Sequence, residues 1–445
     1  MTTRTNSPLE RLITTLAPVE PRETRAVAAA FCLFFFMWAG YFSIRPVRDT
    51  IATLLNEAEG PSAVADLWLY TAAFSILIVP LYGSIVARLR RSTFLPWIYG
   101  VVAALLAGVG LALNTAEFNP LLGKIFYVFI SVVNLFLLSM FWSFLLELFD
   151  RNQTKRLFGV IAAGGSAGAL AGPLLSDLTV NTVGENGILF ASSASFVLAI
   201  VCQRILLRIW SDRPGASTAA DDRPLGGNWM AGIVLILRSP YLLGIALFIL
   251  GISAVSTVLY FEQLRVVAAT FTETSERTRM FARMDWIVQS LTVVTQIFLT
   301  GRIAARFGIT TLLTLVPLLM IVAFTILAGY STFVLFAAVF VFRRAGEYAL
   351  VRPGREMLWA PLDKETKYKA KSTIDVPVYR GADYLVAKFN ALLAGLGITP
   401  SGMMIVGAIT AAAWAVVGWW LGRRYESDAA SAQQAVGPIA RESEA

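Results

Sequence analysis

The chain has 445 residues, of which 57% are hydrophobic and only 15% charged, with a mean hydropathy of +0.66. Soluble domains carry about a quarter charged residues, so this composition excludes an ordinary soluble protein and predicts an all-α polytopic membrane protein. Its net charge of +8 clusters at the ends of apolar runs, which assigns it to membrane topology rather than to a nucleic-acid partner.

Histidine is absent, which excludes a histidine proton relay or a histidine-ligated metal and leaves carboxylates for any proton coupling. Cys32 and Cys202 lie far apart in apolar stretches and read as packing residues, in no metal or redox spacing.

Residues 1–24 form a polar segment, expected to be cytoplasmic. It is too long and too acidic for the start of a secretory signal, and no small-residue cleavage site follows, so the first span is expected to insert the chain itself. Apolar runs then predict twelve transmembrane helices, near 26–46, 66–87, 93–113, 121–146, 157–178, 187–207, 241–262, 281–303, 309–329, 332–352, 376–396 and 401–422. Lys and Arg follow the even-numbered spans: Arg88, Arg90 and Arg91, then Arg151, Lys155 and Arg156, and so on to Arg423 and Arg424. The positive-inside rule therefore places both termini in the cytoplasm. The loop 211–228, rich in Pro, Gly, Ser and Asp, reads as a cytoplasmic linker between six-helix bundles at 25–210 and 229–425. A short helix lying at the cytoplasmic face is expected before Pro240, and residues 426–445 read as a disordered tail.

The halves repeat. Tyr41-Phe42…Arg45 matches Tyr260-Phe261…Arg265, Gly83…Arg88 matches Gly301…Arg306, and Asp150…Lys155 matches Asp363…Lys367, each at an equivalent helix end. Two six-helix pseudo-repeats resemble the major facilitator superfamily, and the Gly83 and Gly301 segments resemble its loop motif. Both copies carry alanine, Ala87 and Ala305, where that motif has aspartate. Arg88 and Arg306 are the gating candidates from these loops.

Charges inside apolar runs give the functional candidates, because a charge at mid-bilayer costs about 2.5–3.5 kcal/mol on insertion scales. The first span carries Arg45, Arg48 and Asp49 around Pro46; the tenth carries Arg343, Arg344 and Glu347. Glu347 lies one turn from Arg343 and can neutralise it. The eleventh carries Arg380 one turn from Asp383, and then Lys388. Two arginines per acid in the first and tenth spans leave positive charge over, which a phosphate or carboxylate would satisfy. Arg45, Arg48, Asp49, Arg343, Arg344, Glu347, Arg380 and Lys388 are thus the substrate-binding candidates.

Gly164, Gly168 and Gly172, spaced by four, read as a seam for close helix packing. No nucleotide-hydrolysis motif, nucleophilic triad or metal spacing is visible, so neither an enzyme nor a cofactor is expected.

Three segments resemble the ATP/ADP translocase (nucleotide transporter) family of plastids and intracellular bacteria: SIRPVRDTI, FWSFLLELFDRNQTKRLFG and REMLWAPLDKETKYKAKSTIDV. In the last, Arg355-Glu356-Met357, Pro361-Leu362-Asp363, the lysines 367, 369 and 371, and Ile374-Asp375-Val376 are similar to the family pattern. The resemblance implies exchange of ATP for ADP by alternating access without hydrolysis, with Lys371 and Asp375 as gating candidates. It departs from the exchangers in the fourth span, which has Asn134 but no acid before Glu147. The alternative is a proton-coupled carrier of another small anionic or polar solute, using Glu347, Asp383 or Asp49. A monomer in the lipid bilayer of a bacterial inner membrane is expected.

Overall fold

A computed structural model describes residues 19–60, 62–88, 91–115, 118–210, 229–363, 366, 370–371 and 373–442. The described chain is helical. Its elements are α1 (Thr24–Glu59), α2 (Ala63–Arg88), α3 (Arg91–Thr115), α4 (Pro120–Leu148), α5 (Arg151–Trp210), α6 (Trp229–Arg238), α7 (Pro240–Thr270) and α8 (Thr274–Thr295). There follow α9 (Gly301–Gly329), α10 (Phe333–Gly346), α11 (Arg352–Met357), α12 (Tyr379–Gly395) and α13 (Pro400–Glu442). Helix α13 runs on into the segment 426–445 expected as a tail. Three π-helical turns, Gln296–Thr300, Glu347–Val351 and Ile374–Val378, adjoin α9, α11 and α12.

The number of spans corrects the sequence reading. Among the described residues, seven helices are long and apolar enough to cross a membrane: Thr24–Glu59, Phe94–Leu113, Pro120–Leu148, Arg156–Trp210, Pro240–Thr270, Thr274–Gly329 and Pro400–Asp428. The expectation of twelve transmembrane helices in two six-helix pseudo-repeats does not stand. The expected second span, within α2, is not among the seven, and two further causes are visible. The expected fifth and sixth spans run as the single element α5, in which only Gly184 leaves helical geometry, at φ 68° and ψ 179°. The expected eighth and ninth spans likewise run on, with Gly308 at φ 78° and ψ 177° as the break. Positive φ suits glycine alone, so the chain bends there without a loop that composition could flag. The expected tenth and eleventh spans are instead cut into short charged pieces, the 14-residue α10 and the 17-residue α12, flanked by π turns.

The chain forms two compact units: residues 1–224 with 271–289, and residues 225–270 with 290–445. In the first, α1 and α5 approach through the glycine stripe. A Cβ on Gly164 would stand 2.5 Å from the Phe31 carbonyl oxygen, and one on Gly172 would stand 2.5 Å from that of Ala39. On Gly168 it would collide with the carbonyl of Phe35. Serine hydroxyls stitch the same seam, with Ser192 donating to the Gly40 carbonyl at 2.7 Å and Ser176 to that of Ser43 at 3.1 Å. Phe34 of α1 stacks on Phe141 of α4 at 3.9 Å between ring centres. In the second unit α9 and α7 pack on α13, where Gly418 meets Phe248 and the Leu313 carbonyl.

The seam predicts a position-specific cost. Gly168→Ala should lower the unfolding midpoint of the detergent-solubilised protein, by an overpacking penalty of about 1–3 kcal/mol. Gly159→Ala, on the same helix with nothing within 4 Å of the added carbon, should leave it unchanged or slightly raised. Equal midpoints for the two variants would refute the close approach.

Candidate functional site

The second unit holds a buried cluster at the end of α10. Arg343, Arg344 and Glu347 are each 5% exposed. An α-helix places residues 343 and 347 one turn apart on one face, and Arg343 donates through Nη1 to Glu347 Oε2 at 3.0 Å. The same Nη1 donates to the Ser256 hydroxyl of α7. From α11, Arg352 Nε donates to the other Glu347 oxygen at 3.3 Å, so one carboxylate is shared between two guanidinia. Arg344 lies over Phe340 and Tyr348 at 5.6 and 5.8 Å from the ring centres, and its Nε reaches the Tyr348 hydroxyl at 3.4 Å. Arg352 covers the same tyrosine at 4.2 Å. Arg343 and Arg352 thus share the Glu347 carboxylate, while Arg344 and Arg352 share the Tyr348 ring. On α12, Asp383 accepts from Ser253 and lies 3.8 Å from Arg380. Lys388 is half-buried further along α12.

Between α11 and α12 lies a second group. Lys371 and Arg355 both donate to Glu356, Arg355 at 3.3 Å, and Arg355 is 3.9 Å from Asp375. Partial burial pushes the Glu356 carboxyl up, but the hydrogen bond and charge of Lys371, with Arg355, outweigh it and hold the group below its ordinary value. At Asp375 burial dominates and raises the carboxyl, against the pull of Arg355 and Lys371. This group brings together the gating candidates Lys371 and Asp375. Arg306 stands apart, exposed on α9 beside Phe307 at 5.5 Å. The side chain of Arg88 and the lysines 367 and 369 lie outside the described residues.

In the first unit Arg48 and Asp49 pair at 2.7 Å, with Arg48 over Tyr127 at 5.4 Å. Arg45 meets Asp285 of α8 at 3.7 Å. The sequence reading missed this partner, and the surplus charge it inferred in the first span is largely met. It missed more of the same segment. Arg277 binds Glu57 at 2.8 Å and Thr53 at 3.1 Å, and Thr278 meets Thr50 at 2.8 Å. Asp177 of α5, 6% exposed, accepts from Arg279, Arg283 and Trp286. The available signal was an aspartate inside the apolar run of α5 and three arginines at 277, 279 and 283, the first two falling between the spans expected at 241–262 and 281–303.

Residues 278–425 match the family described as TLC ATP/ADP transporter. ADP,ATP carrier protein 1 of Chlamydia muridarum (strain MoPn / Nigg) is 23% identical, over 95% of this chain and 91% of its own length. Among solved structures, the nucleoside transporter NupG superposes with a TM-score of 0.61 at 10% identity, covering 90% of this chain and 99% of that one. The POT family transporter PepTSo gives 0.62 at 13% identity, covering 92% and 99%. Fold and relatives define the class: an integral, multi-pass membrane protein that shares its fold with solved membrane transporters. Within that class, residues 278–425 are similar to the TLC ATP/ADP transporter family, and most of the chain is similar to bacterial ADP,ATP carrier proteins.

Two outcomes test the clusters. Glu347→Ala leaves Arg343 buried without its carboxylate and should destabilise the protein by about 3 kcal/mol or more, while Arg343→Met with Glu347→Leu should recover most of that loss. Thermal unfolding in detergent reads both. For Glu356 the lowered folded value means its contribution is present above the ordinary glutamate range and lost as pH falls through the folded value. Wild type should therefore unfold at a higher temperature than Glu356→Gln at pH 7, and the gap should close as the pH falls below the ordinary glutamate range.

Proposed function

We propose that the protein carries a small anionic solute across the membrane by alternating access, without hydrolysing it. The observation that carries this reading is the gathering of Arg343, Arg344 and Arg352 about Glu347 and Tyr348, with Arg343 and Arg352 sharing the one carboxylate. Guanidinium forks suit phosphate and carboxylate oxygens, so a solute anion could take the place of that carboxylate. Arg48, Asp49, Arg45, Arg380 and Lys388 are the further contacts, with Lys371, Asp375, Arg88 and Arg306 as gating residues. Coupling to protons would fall to Glu347, Asp383 or Asp49, each a carboxylate beside an arginine. The working unit is a single chain in a bacterial inner membrane, with both termini cytoplasmic.

A second reading, exchange of ATP for ADP, is favoured by the relatives named ADP,ATP carriers. Against it, α4 carries no acid before Glu147. The deciding experiment is uptake of labelled ATP into proteoliposomes, preloaded with ADP or empty, with and without an inward proton gradient. Uptake that requires internal ADP establishes exchange. Uptake of phosphate or another organic anion that follows the proton gradient, with ATP inert, establishes the proton-coupled carrier. Under either regime Arg48→Ala and Arg344→Ala should abolish transport in folded protein. Wild-type rates in both would sink the anionic-solute reading.

A further inference from the structure

Residues 271–289 belong to the first unit by packing, yet the chain on both sides of them, 225–270 and 290–445, belongs to the second. Besides the bonds of Arg277 to Glu57 and Thr53 and of Thr278 to Thr50, three of their side chains converge on one group. Asp177 Oδ1 accepts from Arg283 Nη2 at 3.1 Å and Arg279 Nε at 3.3 Å, and Oδ2 accepts from Trp286 Nε1 at 2.9 Å and Arg283 Nε at 3.2 Å. One carboxylate thus takes four donors from three side chains spaced along two turns of α8. It is 6% exposed, while the arginines it gathers are 43% and 40% exposed. Water at the arginine end keeps each pair weak and reversible, and the shared acceptor means that all three attachments go together. One residue before Trp286, Asp285 is held 3.7 Å from Arg45.

We propose that Asp177 is a latch: it holds the 274–286 segment on α1 and α5, keeps Asp285 seated on Arg45, and lets the segment go during the transport cycle. A segment bound to one unit by packing and to the other by the chain is where a rearranging carrier has to yield. While the latch is shut, Asp285 occupies the guanidinium of Arg45; opening it frees that fork for a solute anion. The consequence for solute access rests on the reading of Arg45 as a solute contact. The latch itself does not.

The test reads the segment directly. Ala282 is fully buried in it, so an Ala282→Cys variant, in a Cys32→Ser/Cys202→Ser background, reports opening by its rate of labelling with N-ethylmaleimide in detergent. Asp177→Asn should speed that labelling by about tenfold or more, as expected from weakening charge-assisted hydrogen bonds to one acceptor. Ala387→Cys, buried in the second unit, should label at an unchanged rate. Exchanging the charges, with Asp177→Arg and Arg283→Asp together, should slow Ala282→Cys labelling again relative to Asp177→Arg alone. Equal Ala282→Cys rates with and without Asp177, or no recovery in the exchanged pair, would overturn the latch. If Asp177→Asn also speeds Ala387→Cys labelling, the exchanged pair decides. Failure of the parent protein to take up ATP or inorganic phosphate, with the labelling pattern intact, would instead overturn the function proposed above and leave the latch standing.

Discussion

A guanidinium taken out of water has to find an anion within a few ångströms, and this requirement organises both units. Arginine does not deprotonate to escape the cost, so it must be paired, stacked or solvated. In the first unit Arg48 takes Asp49, Arg45 takes Asp285 and Arg277 takes Glu57. In the second, Arg343 and Arg352 divide Glu347 while Arg344 turns to the rings of Phe340 and Tyr348. The two units solve the same problem alike. In each, one carboxylate serves two arginines, Asp177 in the first and Glu347 in the second, and aromatic faces cover guanidinia as well.

What places these charges is backbone proximity. The glycine stripe of α5 lets α1 lie against it almost backbone to backbone, and that contact fixes the helix that carries Arg45, Arg48 and Asp49. Pro46 sits inside α1 without ending it. Thr50 returns its hydroxyl to the Pro46 carbonyl at 3.0 Å, and Ser43 does the same to Gly40 at 2.9 Å. The carbonyl that Pro46 leaves without its amide donor is that of Phe42, four residues earlier, and the charged turn nonetheless keeps helical geometry rather than forming a loop.

Local relations were legible in the sequence, and distant ones were not. The one-turn spacing of Arg343 and Glu347, and of Arg380 and Asp383, places each pair within reach, and both are found paired. The four-residue glycine spacing likewise shows as a seam. The clasp on residues 277–286 was invisible, because Asp177 is about 100 positions away and periodicity says nothing about partners at that range. Arg277 and Arg279 looked like loop charges because hydropathy falls there, although α8 starts at Thr274. The count of spans failed for a related reason. Gly184 and Gly308 bend helices without any polar loop, while buried charges and π turns break the apolar runs of α10 and α12. Mean hydropathy registers none of these conformational facts.

Stability is a poor reason to keep so many ions inside. Replacing a buried ion pair by apolar side chains of similar volume is often neutral or stabilising, by about 1–4 kcal/mol. What an ion pair offers that packing does not is exchangeability: another anion of suitable shape can take the carboxylate's place without loss of the guanidinium's hydrogen bonds. Glu347 illustrates this, since each of its oxygens is held by a different arginine and an incoming oxyanion could take either fork. Asp285 is held more loosely, as an ion pair 3.7 Å from Arg45. A chain that had only to fold would gain from losing these groups. One that must hold an anion and then release it has a physical reason to keep both the arginines and the carboxylates that occupy them in its absence.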